Sequence, residues 1–287
     1  MRRRLLYAAD QRWAEIADHL EELMAGRGFH LLKDEARTRA GLLIGPDGAQ
    51  VFVKRMRAGS WARGLVAAAR GSRVKRWLRG AAMLGAAGFN RPAPLAAIEV
   101  HHAGAVSDCY LVCEELGEAI VLSRAALGGG TVDFRRRRRL LTAVAREVRR
   151  LHEAGLYTRD LQETNLMVEE RAAAEPKISF VDLEDFRRAH SVSRRRRLLN
   201  LVHLDRSIGR FLSRTARLRF LDDYLDGSAH DRDARRRIVA QLLRLSSRTG
   251  RRRRASLPQI VAPVAPPNAA MAAVHRAAGK LAPPGGA

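Results

Sequence analysis

The sequence has only two cysteines in 287 residues, Cys109 and Cys113, and both lie in or beside an apolar run typical of a strand. Two cysteines cannot form a disulfide framework, and they cannot supply a four-ligand zinc site. Their scarcity therefore excludes the small disulfide-rich folds and indicates a reducing compartment.

Long apolar runs are missing as well, since none approaches the ~18 residues that a bilayer-spanning helix requires. The start, Met1–Arg4, is basic, but Asp10, Glu15 and Asp18 follow it without a long apolar segment. A secretory signal is therefore not expected. We predict a cytoplasmic protein that can contact the inner membrane only peripherally.

Aromatic residues make up 5% of the chain and are not interleaved with its basic runs. No zinc-finger, homeodomain or RNA-binding pattern occurs, so specific nucleic-acid binding is not expected. Acidic residues are also few, at 30 against 53 lysines and arginines, which gives a formal net charge of +23. Such a charge attracts polyanions, including anionic lipid headgroups and phosphorylated glycolipids.

Much of the positive charge is arginine in three runs, Arg135–Arg139, Arg194–Arg197 and Arg251–Arg254. Guanidinium groups pair with phosphate oxygens through two hydrogen bonds, so these runs are candidates for binding a phosphorylated substrate. The alternative is that the arginines only cover solvated faces, and the sequence leaves both interpretations open.

The first part of the chain is predicted to be a helix followed by a sheet. Residues 1–28 form an N-terminal amphipathic helix in this prediction, because apolar residues from Leu5 onward recur at helical spacing. Acids on its polar face favour packing over membrane contact. Residues 29–113 contain short apolar segments, a hairpin turn and one helical stretch at 61–88, which predicts an antiparallel sheet with Lys54 at the end of a strand.

The rest of the chain changes character twice. A polar connector at 114–118 precedes a mainly helical part at 119–250, with one hairpin built from Leu166–Val168 and Ile178–Val181. Residues 251–287 are rich in Arg, Ala, Pro and Gly and cannot bury enough surface to offset the entropy of ordering, so they are predicted to be a disordered tail.

Four residues carry a recognisable chemical pattern. Arg159-Asp160 is followed five positions after the aspartate by Asn165, and a short apolar strand then leads into Asp182. Each feature alone is weak, but their joint order resembles the catalytic loop and metal-binding aspartate of protein-kinase-like phosphotransferases.

This resemblance implies a role for each polar residue. Asp160 would accept or orient the acceptor hydroxyl, Asn165 and Asp182 would hold Mg2+, and Lys54 would reach the α and β phosphates of ATP. Phosphoryl transfer requires mainly positioning and charge stabilisation, which these residue types provide.

The resemblance also implies a fold of the α+β class. It is the two-lobed protein-kinase-like fold, with a small antiparallel-sheet N-lobe at 29–113 and a mainly helical C-lobe at 119–250. The connector would be the hinge, and its residues Glu114, Glu115 and Leu116 would contact the nucleotide.

Within that superfamily, the chain between residues 30 and 225 resembles the lipopolysaccharide core kinases, which phosphorylate heptose or Kdo sugars. The supporting stretches are Val51–Arg55, Gly88–Ala96, Leu151–Tyr157, Leu204–Ser207 and Arg217–Leu225. The implied activity is ATP-dependent phosphorylation of a sugar hydroxyl on an anionic membrane glycolipid, a substrate that the arginine-rich surface would attract.

Three departures from the kinase pattern stand out. No acid lies between Asp47 and Glu99, so the helical glutamate that pairs with the strand lysine has no candidate there. Another group, such as Asp182, or the nucleotide would then hold that lysine. Thr158 stands where most relatives carry histidine. No glycine-rich motif precedes the lysine, which leaves Thr38–Gly41 as the candidate for the turn that covers the phosphates.

Three alternatives therefore remain open. A small-molecule or protein Ser/Thr kinase would share Asp160 and Asp182 but would need no cationic face. A pseudokinase would bind nucleotide without turnover, and a protein that only binds anionic surfaces would use the arginine runs alone. Asp185 is a second candidate metal ligand, although an exposed loop acid is the simpler interpretation.

Overall fold

The structure is a computed structural model that describes residues 1–127, 133–170, 174–226 and 232–254. Met1–Arg248 form one compact unit, and Thr249–Ala287 are grouped as a second. The predicted disordered tail, residues 251–287, lies outside the described ranges except for 251–254, which form the end of the last helix.

Six strands form one antiparallel sheet in the order β1-β5-β6-β4-β3-β2. Their bounds are Arg2–Ala8 (β1), His30–Glu35 (β2), Thr38–Ile44 (β3), Gln50–Arg57 (β4), Pro94–His102 (β5) and Ala105–Glu114 (β6). The predicted hairpin turn joins β3 to β4, where the Gly48 N–H donates to the Gly45 carbonyl over 3.0 Å. Lys54 lies inside β4, opposite Leu111 of β6, and not at the end of the strand.

The first strand corrects the prediction of a helix over residues 1–28. Leu5 lies in β1 and is paired with Ile98 of β5, so backbone pairing with a distant strand outweighs the helical spacing of the first leucines. The helix α1 spans Gln11–Ala25 and begins after Asp10, whose carboxylate accepts a hydrogen bond from the Trp13 N–H over 3.0 Å. It packs on the sheet as predicted, with its apolar face buried.

The helical stretch predicted at 61–88 is two helices, α2 (Trp61–Arg70) and α3 (Arg73–Ala86). Gly71 breaks them, because its φ of 94° lies in a region that side chains other than glycine's rarely adopt. Ser72 then caps α3 by accepting a hydrogen bond from the Lys75 N–H over 3.2 Å.

The second half of the chain is mainly helical among the described residues. Its helices are α4 (Leu122–Leu127), α5 (Phe134–Glu153), α6 (Arg194–Ile208), α7 (Arg214–Leu225) and α8 (Arg232–Arg254). Its short strands are β7 (Ile120–Val121), β8 (Leu156–Thr158), β9 (Leu166–Glu169), β10 (Lys177–Phe180) and β11 (Phe186–Arg188). They form two small sheets, β10-β9-β7 and β11-β8, and the predicted hairpin is the pair β9 and β10.

A continuous apolar core joins the large sheet to these helices. It includes Trp77 of α3, Leu111 of β6, Leu140 of α5 and Phe180 of β10, all at most 3% exposed. The Phe180 N–H also donates to the Asn90 carbonyl over 2.9 Å, which fixes β10 beside the segment that precedes β5. The polar residues that follow β8 and β10 are therefore held near the large sheet.

Candidate active site

The predicted catalytic loop lies between β8 and β9, and hydrogen bonds connect it to the end of β10. The Asn165 side-chain amide donates to the Asp160 carbonyl over 3.0 Å. The backbone N–H of Val181 donates to the Asn165 carbonyl, also over 3.0 Å. These bonds place Asp160, Asn165 and the residue after Val181, which is Asp182, next to one another.

Helix α6 supports the loop at both of its ends. Asn200, which is buried, donates its amide N–H to the Thr158 carbonyl over 2.5 Å. Ser207, two turns further along the same face, accepts a hydrogen bond from the Glu163 N–H over 3.1 Å. The position of the catalytic loop is thus set by α6, a helix outside the motif itself.

The buried His152 completes this support. Because the Asn200 amide N–H donates to Thr158, the Asn200 oxygen is left to accept a hydrogen bond from His152 Nε2, at 3.0 Å. A neutral imidazole has one donor and one acceptor nitrogen, so His152 Nδ1 accepts from the Tyr224 hydroxyl, at 2.8 Å. Burial lowers the pKa of His152 to about 4, although the bond to Asn200 opposes the shift. The ring is therefore neutral at pH 7 and satisfies both neighbours without a buried charge.

Thr158 precedes the Arg159-Asp160 pair and contributes a hydrogen bond to the loop. Its buried hydroxyl accepts a hydrogen bond from the Asp160 N–H over 3.2 Å. The Gln162 amide also donates to the Asp160 carboxylate. Thr158 therefore holds the backbone N–H of Asp160 and Gln162 holds its carboxylate, without a histidine.

Asp182 lies after β10 with a left-handed backbone, at φ 58° and ψ 61°. Its carboxylate is 3.0 Å from the Lys54 ammonium. The Lys54 side chain is 14% exposed and that of Asp182 is 41% exposed, so the lysine is the better shielded partner. Asp182, one of the two partners that the sequence left open for Lys54, thus pairs with it in this structure.

Glu184 is a site residue that sequence reasoning missed. Its side chain is only 9% exposed and accepts two hydrogen bonds from Arg73 of α3, over 2.8 and 2.9 Å. It also lies 3.8 Å from the Lys54 ammonium and 3.6 Å from Arg76. The kinase pattern expects a helical glutamate beside the strand lysine. Here helix α3 instead carries the cations, Arg73 and Arg76, and the carboxylate of Glu184 comes from the turn after β10.

A signal for Glu184 was present in the sequence. Helix α3 contains four cations and no acid, so a carboxylate from elsewhere had to neutralise its buried end. Asp185, the acid that the sequence suggested as a second ligand, is half-exposed and 3.9 Å from Arg187. This supports its interpretation as a loop acid.

The predicted hinge begins at Glu114, the last residue of β6. Glu114 is three residues after Leu111, which is paired with Lys54. The Glu114 carboxylate accepts a hydrogen bond from the Ala93 N–H over 3.1 Å, and the Glu115 carboxylate accepts one from the Gly117 N–H over 2.7 Å. Burial raises the pKa of Glu115, and the bond from Gly117 opposes this. Both acidic side chains thus serve the connector's own backbone, and Leu116 beside them is half-buried.

The candidate for the phosphate-covering turn lies in a strand beside a turn. Thr38–Gly41 belong to strand β3, and residues 36–37 form the turn between β2 and β3. Gly41 is needed for close packing, since an added Cβ would lie 2.3 Å from the His30 carbonyl oxygen. The close approach of the neighbouring strand therefore explains this glycine.

The donor set of the site is made of oxygen atoms. Asp160, Asn165 and Asp182 offer two carboxylates and one amide, and the described residues contain no group of three or more His, Cys, Asp or Glu that could hold a metal. Mg2+ prefers oxygen ligands and usually keeps several waters while it binds phosphates. These three residues therefore fit Mg2+ better than a metal ion whose ligands all come from the protein.

Several arginines from the basic runs have structural roles. Arg138 makes two bonds to Asp223, and Arg136 pairs with Glu170. Arg197 donates to the Val192 carbonyl over 3.0 Å, and Arg196 stacks on the Tyr157 ring. These four side chains connect elements of the fold, so fewer arginines are free for a substrate than the sequence suggests.

No described helix is long and apolar enough to cross a bilayer.

Comparison with known proteins identifies a family and a shared fold. The family described as "Lipopolysaccharide kinase (Kdo/WaaP) family" matches residues 12–224, which is most of the chain. The solved structure titled "WaaP in complex with acyl carrier protein" is similar with a TM-score of 0.58 and 23% identity, covering 86% of this chain and 99% of that chain. At this identity the likeness shows a shared fold. None of the curated proteins matches the sequence.

Proposed function

The chain belongs to the lipopolysaccharide kinase (Kdo/WaaP) family. We propose that the active site of this kinase is formed by Asp160, Asn165, Asp182 and Lys54. The observation that carries the proposal is that the catalytic loop is hydrogen-bonded to the chain after β10, where the next residue, Asp182, pairs with Lys54. We also propose the two-lobed arrangement, in which the large sheet forms the N-lobe and the later helices form the C-lobe.

Asp160 is the catalytic residue of the proposal. Its carboxylate orients the sugar hydroxyl and accepts its proton as the oxygen bonds to the γ-phosphorus of ATP, while the bond from that phosphorus to the bridging oxygen breaks and ADP leaves. Gln162 holds one carboxylate oxygen, and Thr158 fixes the backbone amide. Such positioning supplies much of the rate enhancement in phosphoryl transfer, because the protein makes no covalent bond itself.

Asn165 and Asp182 would hold Mg2+ together with the phosphates of ATP. The metal would neutralise the charge of the β and γ phosphate oxygens. The strained left-handed backbone of Asp182 directs the chain from β10 into the turn at Leu183–Asp185, with the Asp182 carboxylate beside Lys54.

Lys54 is proposed to bind the α and β phosphates once nucleotide takes the place of Asp182 as its main partner. Glu184 remains as a second carboxylate, and Arg73 fixes Glu184 through two bonds. Because Arg73 is on α3, the position of that helix is coupled to the lysine. Glu115 and Leu116 would contact the adenine through backbone groups.

Glu184→Gln is expected to raise the Kd for ATP about tenfold, because Lys54 loses its second carboxylate and Arg73 loses its counter-ion. Isothermal titration of ATP well below the melting temperature measures this change. Arg73→Ala should show a similar loss, and the double variant should lose less than the sum, since the two residues act as one unit.

Asp185→Asn is the matched control for Glu184→Gln, because this neighbouring acid pairs only loosely with Arg187. It should bind ATP like the wild type. If Glu184→Gln lowers the melting temperature but leaves the Kd for ATP unchanged, Glu184 has a purely structural role and does not position Lys54.

The acceptor is proposed to be a sugar hydroxyl on an anionic glycolipid, met at the inner surface of a membrane. The family description supports this substrate class, and the formal charge of +23 favours a substrate that carries phosphate or carboxylate groups. The runner-up is a protein Ser/Thr kinase, which would use the same Asp160 but would gain nothing from the charge.

Labelled ATP added to the protein with a membrane extract from its own source is expected to label glycolipid, and only when Mg2+ is present. Separation of lipid from protein before counting distinguishes the two acceptor classes. Label confined to protein would support the runner-up. If the wild type binds ATP but labels neither fraction, the pseudokinase alternative is supported.

A further inference from the structure

Helix α2 has its apolar side facing solvent. Trp61 is 62% exposed, Val66 is 52% exposed and Leu65 is 37% exposed. The opposite side of the helix contacts the sheet through a small residue, Gly64, where an added Cβ would lie only 2.5 Å from the Val106 carbonyl oxygen of β6. The helix therefore lies close against the sheet while its large side chains point outward.

The exposed side chains form one continuous stripe. Trp61 and Leu65 are four residues apart, as are Ala62 and Val66, so all four lie on the same face of the helix. Ala69 extends the stripe by one turn and is also exposed. A helix that packs only on the protein would bury such a stripe, so this one is suited to an external apolar phase.

The surroundings of the stripe are cationic. No acid occurs between residues 47 and 99, and Arg63 on α2 is exposed. Arg57 is 56% exposed and pairs only loosely, at 3.9 Å, with Asp108, whose side chain is 17% exposed. The exposed Arg37 lies beside Gly59, two residues before α2 begins. Apolar residues with an arginine rim, in a chain segment from 48 to 98 that contains no acid, match the surface of an anionic bilayer, with headgroups outside and acyl chains inside.

The position of α2 relates the stripe to the site. Only Gly71 and Ser72 separate it from α3, and Arg73 at the start of α3 holds Glu184 beside Lys54. The C-terminal end of α2 is thus three residues from Arg73, which links the helix to the proposed active site. A second copy of the chain is a weaker match, because ten residues with three large apolar side chains offer much less than the ~1,200 Å² buried in a stable protein interface.

We propose that α2 is the element that docks the protein on an anionic lipid bilayer, with Trp61, Leu65 and Val66 inserted at the boundary between headgroups and acyl chains. This deepens the proposed function, since it names the surface that meets the membrane carrying the glycolipid. It differs from the earlier candidate, α1, whose polar face carries acids and whose apolar face is buried.

The test uses the natural tryptophans. Trp13 and Trp77 are 5% and 3% exposed, so Trp61 is the tryptophan whose emission can respond to lipid. With vesicles of phosphatidylcholine and phosphatidylglycerol, the wild type should co-sediment and its emission should shift to the blue. Vesicles of phosphatidylcholine alone should bind much less. Trp61→Phe should still bind but show no shift.

Leu65→Glu should weaken binding to the anionic vesicles about tenfold or more, because it places a carboxylate among the inserted side chains. Val66→Glu should act in the same way. The matched control is Ile44→Glu, since Ile44 is 65% exposed but lies at the end of β3. It should bind like the wild type.

Phosphotransfer to an acceptor dissolved in detergent separates this inference from the proposed function. Leu65→Glu should retain that activity. If Leu65→Glu and Val66→Glu bind anionic vesicles as well as the wild type, the inference fails whatever the activity.

If light scattering shows that the wild type is a dimer and Leu65→Glu a monomer, the stripe is a protein interface instead. Vesicle binding through α2 without any phosphotransfer would refute only the kinase assignment.

Discussion

Asp160→Asn is expected to lower kcat for phosphotransfer by about 10²–10⁴-fold while the Kd for ATP stays close to that of the wild type. Asparagine keeps the shape of the side chain and can still accept the bond from Gln162. It cannot accept the proton of the attacking hydroxyl. The loss should therefore appear in the chemical step, which single-turnover measurements with saturating ATP isolate.

The control for this variant is Asp205→Asn, which changes an acid that pairs with Arg217 on α7 and lies outside the loop. It should keep most of the wild-type kcat. A large rise in the Kd for ATP with Asp160→Asn would mean that Asp160 binds the nucleotide complex instead of the acceptor. Unchanged kcat would exclude it as the base.

The absence of histidine at Thr158 does not remove the support that the loop needs. The Thr158 hydroxyl accepts a hydrogen bond from the Asp160 N–H, and the Asn200 amide donates one to the Thr158 carbonyl. The neutral His152 holds Asn200 in the required orientation. A buried hydrogen-bond network of this kind is rigid because each member is satisfied. The geometry thus favours an active kinase over a nucleotide-binding pseudokinase.

Local patterns in the sequence predicted the parts of the site that depend on neighbouring residues. The spacing from Asp160 to Asn165 and the apolar strand before Asp182 are short-range features, and the structure brings these residues together as expected. Lys54 was found in the same way, from its strand. Their roles in catalysis stay predictions until the variants are measured.

Contacts between distant residues could not be predicted from those patterns. Glu184 and Arg73 are 111 positions apart, and β1 forms only because β5 offers partners about 90 residues later. The break between α2 and α3 depends on one glycine conformation. In each case the deciding energy comes from tertiary contact, which outweighs local propensity.

The choice of variant at Asp182 follows from its backbone. Asparagine is among the few residues that tolerate a left-handed conformation, whereas alanine at φ 58° would add strain unrelated to metal binding. Asp182→Asn therefore removes the negative charge and keeps the local fold. Lys54 retains Glu184 at 3.8 Å, so the lysine is not left without a counter-ion.

Asp182→Asn is expected to abolish the Mg2+-dependent part of the thermal shift with ATP and to lower kcat/KM by about 10³-fold. The comparison is between ATP with Mg2+ and ATP with EDTA, for the variant and the wild type. Asp185→Asn, the neighbouring acid in the same turn, should keep the full Mg2+ effect. If Asp185→Asn loses the effect and Asp182→Asn keeps it, the two aspartates have the opposite roles. If both keep it, the metal is bound elsewhere, and the Lys54–Asp182 pair would only join the sheet to the loop.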